Sequence, residues 1–185
     1  MMTSFRVHTL ESAPEKSKPA LQGLKQNFGM VPNLAATMAE SPTLVNGFVG
    51  AFGNFHGGSF TGAEKQTLLL TNAVANRCEW AVAFHSTMAL KEGVPAADVE
   101  AIRAGRAPAD PRLAALVAFD RALIERRGHL GEAEMTALRQ AGFGSDQALE
   151  VIAGLAVSVM ANYAGNVTHP PLEEPLKAQA WSGLA

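Results

Sequence analysis

A chain of 185 residues and 19.4 kDa fits one ordinary domain with enough length to bury a core, and excludes a large multidomain architecture. Hydrophobic residues make up 48% and charged residues only 17%, under the roughly 25% usual for soluble domains, so an apolar surplus facing a partner subunit is expected. Fifteen Lys+Arg against seventeen Asp+Glu leave a net charge of -2, so no basic face is implied and no nucleic-acid or anionic-lipid partner is expected.

Helix punctuation is dense and strand signals are almost absent, so the expected class is all-α, a single domain over residues 1–185. Residues 1–10 lack a basic stretch followed by an apolar run, and the single cysteine, Cys78, cannot form an intrachain disulfide; both point to the cytoplasm. Residues 1–28 read as an amino-terminal arm whose helix, about 14–28, closes at Gly29. Pro32 opens a short segment to Ala39, and Ser41-Pro42 restarts the chain. Over 43–55 the apolar positions Leu44, Val45, Phe48, Val49, Phe52 and Phe55 recur at helical spacing, with Gly47, Gly50 and Gly53 as a small-residue strip suited to helix close-packing.

Thr61 with Glu64 has capping-box spacing and starts a helix at Gly62 that runs to Ala75. Asn76 with Glu79 repeats the signal, so a second helix is expected from Arg77 to Lys91. Helices over 95–104, 111–127 and 132–140 follow, each ended by a glycine, and Ser145 caps a last one over 146–166, read as buried nearly all round. Residues 169–185, with Pro170, Pro171 and Pro175, read as an irregular tail. The long uncharged stretches 41–63 and 151–172 carry too many glycines, asparagines and prolines for a membrane span, so no membrane partner is expected.

The segment 76–85 is the one that can carry chemistry. With Asn76 as cap, Cys78 falls in the first helical turn, where free N–H groups and the helix dipole favour a thiolate, so its pKa is expected to be lowered. Cys78, Ala81 and His85 at i, i+3 and i+7 share a face and are expected to project into one space, although two turns hold thiol and imidazole about 10 Å apart. The break at Asn76 matters for Gln66. In one continuous helix Gln66 and His85 lie about 28 Å apart, whereas in an antiparallel hairpin they stand at equal distances from the turn and can meet.

The run Phe60-Thr61-Gly62-Ala63-Glu64-Lys65-Gln66, a hydrophobic helix, Asn76-Arg77-Cys78-Glu79-Trp80 and then His85 resembles the carboxymuconolactone decarboxylase and alkyl hydroperoxidase D (AhpD) superfamily. Gly29-Met30-Val31-Pro32-Asn33 and Ser41-Pro42 are similar to the amino-terminal part of its longer, peroxidase-related members. The resemblance covers about 28–166. It implies an AhpD-like helical bundle that assembles as a homotrimer or homohexamer, an antioxidant, peroxiredoxin-type oxidoreductase class, and a site of Cys78, His85 and Gln66. The peroxidase branch uses a Cys-x-x-Cys pair, a His four residues later and a relay Glu twelve residues before the first Cys. Here Ala81 stands in place of the second, peroxide-attacking cysteine and Gln66 in place of the relay glutamate. A dithiol cycle needs two sulfurs and a relay needs a titratable group, so standard peroxidase chemistry is not expected.

Three functional readings follow. Cys78 is either a structural thiol or a one-cysteine redox centre acting on peroxide with His85 as partner. Alternatively, His85 moves a proton of a small lactone or cyclic acid in a cofactor-independent lyase, or the fold is a non-enzymatic, oligomeric small-ligand binder. No cofactor and no metal are expected, because the five histidines show no ligand spacing and the glycines of 47–58 match no phosphate loop. Asn162, Tyr163 and Asn166 must find hydrogen-bond partners or line a pocket.

Overall fold

The computed structural model describes residues 5–184; the first four residues of the expected arm and the last of the tail lie outside the described residues. Helices follow in the order α1 (Lys18–Phe28), α2 (Asn33–Met38), α3 (Pro42–His56), α4 (Gly62–Ala75), α5 (Glu79–Lys91), α6 (Ala96–Arg103), α7 (Pro111–Glu125), α8 (Glu132–Gln140) and α9 (Ser145–Thr168), with no strand among the described residues. The all-α expectation therefore holds.

Local signals set most of these bounds. Glu64 N–H donates to Thr61 Oγ1 at 3.2 Å while Thr61 N–H donates to Glu64 Oε2 at 2.8 Å, a complete capping box at the start of α4. The other Glu64 oxygen accepts from Arg112 Nε at 2.7 Å, which ties the start of α4 to the start of α7. Between these anchors α4 is the central helix, packed by α5, α6, α7 and α9, with Leu68, Leu69 and Leu70 all buried. Burying each such leucine is worth about 1.5–3 kcal/mol, so the hydrophobic run 68–70 fixes α4 in the middle of the bundle.

The helix expected over 14–28 divides: Glu15–Ser17 is a 3-10 turn, and the α-helix starts only at Lys18, where Pro19 lacks the N–H a longer helix would need. The tail is not simply irregular either. Glu174–Gln179 forms a 3-10 helix that packs on α5 and buries Leu176.

Two packing expectations are corrected. Gly47, Gly50 and Gly53 are exposed, and a Cβ added at any of them meets nothing within 4 Å, so they mediate no close helix approach within this chain. The close approaches lie on α9 instead. A Cβ at Gly154 would stand 2.9 Å from Phe55 Cε2 of α3, and one at Gly165 would stand 2.7 Å from Cys78 Sγ and 3.3 Å from Leu34 Cδ1.

Nor is α9 buried all round. Its N-cap is Gly144 rather than Ser145, and it leaves Leu149, Ile152, Tyr163 and Val167 exposed along one side while Val151, Gly154, Val157 and Ala161 face the bundle. By length and composition α9 is apolar enough to cross a membrane, contrary to the sequence expectation, yet in this fold it packs on α2, α3, α4 and α5.

Candidate functional site

The α4–α5 turn fixes the site. Asn76 is the C-cap of α4, not the N-cap of α5; Arg77 takes a left-handed conformation at φ 52°, and Cys78 is the N-cap. Cys78 N–H donates to Ala73 O at 3.0 Å and Arg77 N–H to Val74 O at 3.1 Å, so the turn is a Schellman-type closure followed at once by the next helix. Asn166 of α9 locks it by donating its amide to Asn76 O at 2.8 Å.

Folding back this way brings Gln66 and His85 together: His85 Nδ1 lies 2.9 Å from Gln66 Oε1, both side chains buried. The carbonyl can only accept, so Nδ1 carries the hydrogen and Nε2 is left as an acceptor lone pair. Burial drives the His85 pKa down to about 3, with a smaller contribution from nearby His56, so the ring is neutral throughout the physiological range.

His85 lines a narrow cavity of about 40 Å³. Its walls are aromatic and aliphatic, with Phe28, Phe48, Phe52, Trp80 and Phe84 supplying rings and Ala81 a methyl group. Trp80 stacks on Phe84 at 5.0 Å, and Phe28 meets Phe84 edge-on at 5.5 Å, which makes the wall rigid. Among the described residues, no charged one lines it. One further polar group does: Ser158 of α9, 2% exposed, whose hydroxyl has no hydrogen-bond partner among the described residues.

Cys78 stands apart from this arrangement, which corrects two expectations. The thiol borders a different cavity, formed with Arg77, Glu79, Gly165, Asn166 and His169, so Cys78 and His85 do not project into one space. Its pKa is raised, not lowered. Burial dominates, and the Ala81 and Trp80 amides at the start of α5 oppose it without reversing it, while the Glu79 charge adds to the rise. With 1% exposure and Sγ against Gly165, Cys78 is packed as a core residue.

Three contributors escaped the sequence reading. Ser158 was visible as a hydroxyl in an apolar helix. His56 stacks on Phe52 at 3.9 Å and donates to Phe52 O, and burial lowers its pKa as well. Glu173, in the tail, accepts from Trp80 Nε1 at 2.9 Å and from the Asn33 amide at 2.6 Å, joining the starts of α5 and α2 beside the cavity wall. Among the described residues no group of three or more His, Cys, Asp or Glu converges to hold a metal.

The model of the carboxymuconolactone decarboxylase family matches residues 42–122, the segment that carries Gln66, Cys78 and His85. Three solved structures share the fold over nearly the whole chain. The AhpD core of an uncharacterized peroxidase-related protein from Ralstonia eutropha JMP134 is 20% identical, with a TM-score of 0.83 over 95% of each chain. A peroxidase-related protein from Silicibacter sp. TM1040 is 17% identical, with a TM-score of 0.78 over 96% of this chain and 94% of that one. The debrominase Bmp8, as a Cys-to-Ala variant in complex with 2,3,4-tribromopyrrole, is 21% identical, with a TM-score of 0.77 over 97% and 96%. No curated protein matches the chain. The hairpin segment thus matches the carboxymuconolactone decarboxylase family, and the whole chain shares the AhpD-like fold.

Proposed function

We propose that this chain is a non-redox member of the carboxymuconolactone decarboxylase/AhpD-like superfamily, a small-molecule-binding protein that recognises its ligand through His85 in the apolar cavity. The observation that carries the reading is the Gln66–His85 contact, which pins one imidazole nitrogen and leaves the other as a fixed acceptor on a cavity-lining residue. A thiol peroxidase cycle is disfavoured because Cys78 is buried, has a raised pKa and lies on another cavity. A lyase with His85 as base is disfavoured because a general base works best with a pKa near the working pH, whereas this imidazole resists protonation down to about 3. The complex of a Cys-to-Ala variant of the debrominase Bmp8 with 2,3,4-tribromopyrrole supports the idea that this fold can hold a small ligand.

Iodoacetamide is expected to label Cys78 no faster than the native state opens, and Cys78→Ala to keep the stabilisation that small apolar ligands such as pyrrole, phenol or butanol give in a thermal melt. His85→Ala is expected to remove that stabilisation. Rapid labelling of the folded protein together with hydroperoxide turnover would sink the reading.

Self-association as a trimer or hexamer is part of the proposal. The exposed side of α9 offers Leu149, Ile152, Tyr163 and Val167 as an apolar strip, and the low charge of the chain fits its coverage by another copy. In sedimentation, Ile152→Glu with Tyr163→Glu is expected to yield monomers from the wild-type oligomer; a monomeric wild type refutes this part.

A further inference from the structure

The cavity has two polar atoms without protein partners, and together they describe a ligand. His85 Nε2 makes no hydrogen bond among the described residues; the ring is held through Nδ1. Ser158 Oγ is buried and unpartnered. Among the described residues it shares that state with one other buried hydroxyl, Thr67 Oγ1, which lies outside the cavity. Thr71, Thr87 and Thr168 each turn their hydroxyl back onto the carbonyl four residues before, at 2.8–2.9 Å, whereas Ser158 does not use the same option on α9. What sets Ser158 apart is that its free hydroxyl belongs to a residue lining the same cavity as His85, where a ligand can supply the missing partner.

We propose that His85 and Ser158 form an acceptor and donor pair that selects a slim, uncharged alcohol over the matching carboxylate; this rests on the pocket reading above. The ligand hydroxyl donates to His85 Nε2 and accepts from Ser158 Oγ–H, so both orphan atoms are satisfied by one group. A carboxylate has no proton to give His85, and it would shed its hydration into walls that offer no lysine, arginine or charged histidine. Size restricts the ligand as well. At roughly 10–15 Å³ per water, the cavity of about 40 Å³ admits a chain or small group, while the aromatic walls favour an apolar remainder.

The test is a fluorine NMR titration of the full chain near neutral pH with trifluorobutanol and trifluorobutyrate, two probes of similar shape that differ in charge. The alcohol is expected to bind at least about ten times tighter than the carboxylate. Ser158→Ala is expected to weaken the alcohol about fivefold, the worth of one hydrogen bond, without lowering the melting temperature. A merely structural serine would not separate those two readouts. Equal or tighter binding of the carboxylate, or an unchanged alcohol affinity in Ser158→Ala, overturns the ligand class while His85 dependence keeps the pocket reading. Alcohol binding that persists in a folded His85→Ala variant, or binding of neither probe, overturns the pocket reading and this inference with it.

Discussion

Replacing Asp120 with Asn is expected to raise the melting temperature at pH 7 by about 5–10 °C, the equivalent of roughly 2–4 kcal/mol in a chain of this size. Asp120 lies on α7 with no exposed surface, and its one partner is the amide of Asn72 on α4, which donates to Oδ2 at 2.7 Å. The second oxygen has none among the described residues. Burial lifts the carboxyl from its ordinary 3.8 to about 8, against the weaker pull of Asn72 and Arg121. The folded protein then holds a proton that the unfolded chain releases above 3.8, so this group lowers stability progressively as pH rises from about 4 to about 8. Asparagine keeps the oxygen that accepts from Asn72 and removes the cost of holding the proton.

The pH profile tests the assignment more sharply than the shift itself. His85 acts with the opposite sign: neutral in the fold down to about 3 but protonated below 6.5 when unfolded, it costs stability as pH falls through that window. Between about 4 and 6.5 the two slopes oppose one another with one proton each. Wild type is therefore expected to have a shallower slope there than Asp120→Asn, which loses stability more steeply below pH 6.5. A variant that melts at the wild-type temperature with an unchanged profile would show Asp120 to be ionised and hydrated.

Which of these features a reader of the sequence can find depends on how local they are. The Thr61–Glu64 box and the bounds of α4 and α8 emerge from spacings of three and four residues, because the physics that sets them acts within one turn. The Asn76–Glu79 spacing has the same form and misleads, since Arg77 adopts a left-handed conformation and moves the cap to Cys78. That shift changes the chemistry. A thiol in an exposed first turn would be activated, but here α9 closes over it at Gly165 and burial outweighs the helix amides. The Gln66–His85 meeting was legible because a hairpin equalises distances from its turn. Glu173, 93 residues from Trp80, has no comparable signal: nothing in the tail's composition shows which side chain it will hold.

The largest gain of activity is expected from restoring the two missing groups, Ala81→Cys together with Gln66→Glu. Ala81 lines the same cavity as His85, so a thiol there would open into it, unlike that of Cys78. A carboxylate at 66, facing His85 Nδ1, would favour the imidazolium and raise the histidine pKa from about 3, giving the pair a proton it can pass on. The new thiolate attacks the distal oxygen of an alkyl hydroperoxide, the O–O bond breaks, and the alcohol leaves with the relayed proton while position 81 becomes a sulfenic acid. The Cys78 thiol, three residues earlier at the helix cap, has to leave its packing against Gly165 and turn toward position 81, where it displaces water to form a disulfide that an added dithiol reduces. Hydroperoxide consumption with dithiothreitol is expected to rise about a hundredfold over wild type, within the range of acid–base contributions, and Cys78→Ser in this background to halt the disulfide step. If wild type alone consumes hydroperoxide as fast as the double variant, Cys78 does work as a redox centre by itself and the pocket is not what distinguishes this chain. If the double variant folds, as judged by its melt, and stays inactive, the cavity is closed to hydroperoxides by more than two side chains, and its aromatic walls become the next residues to change.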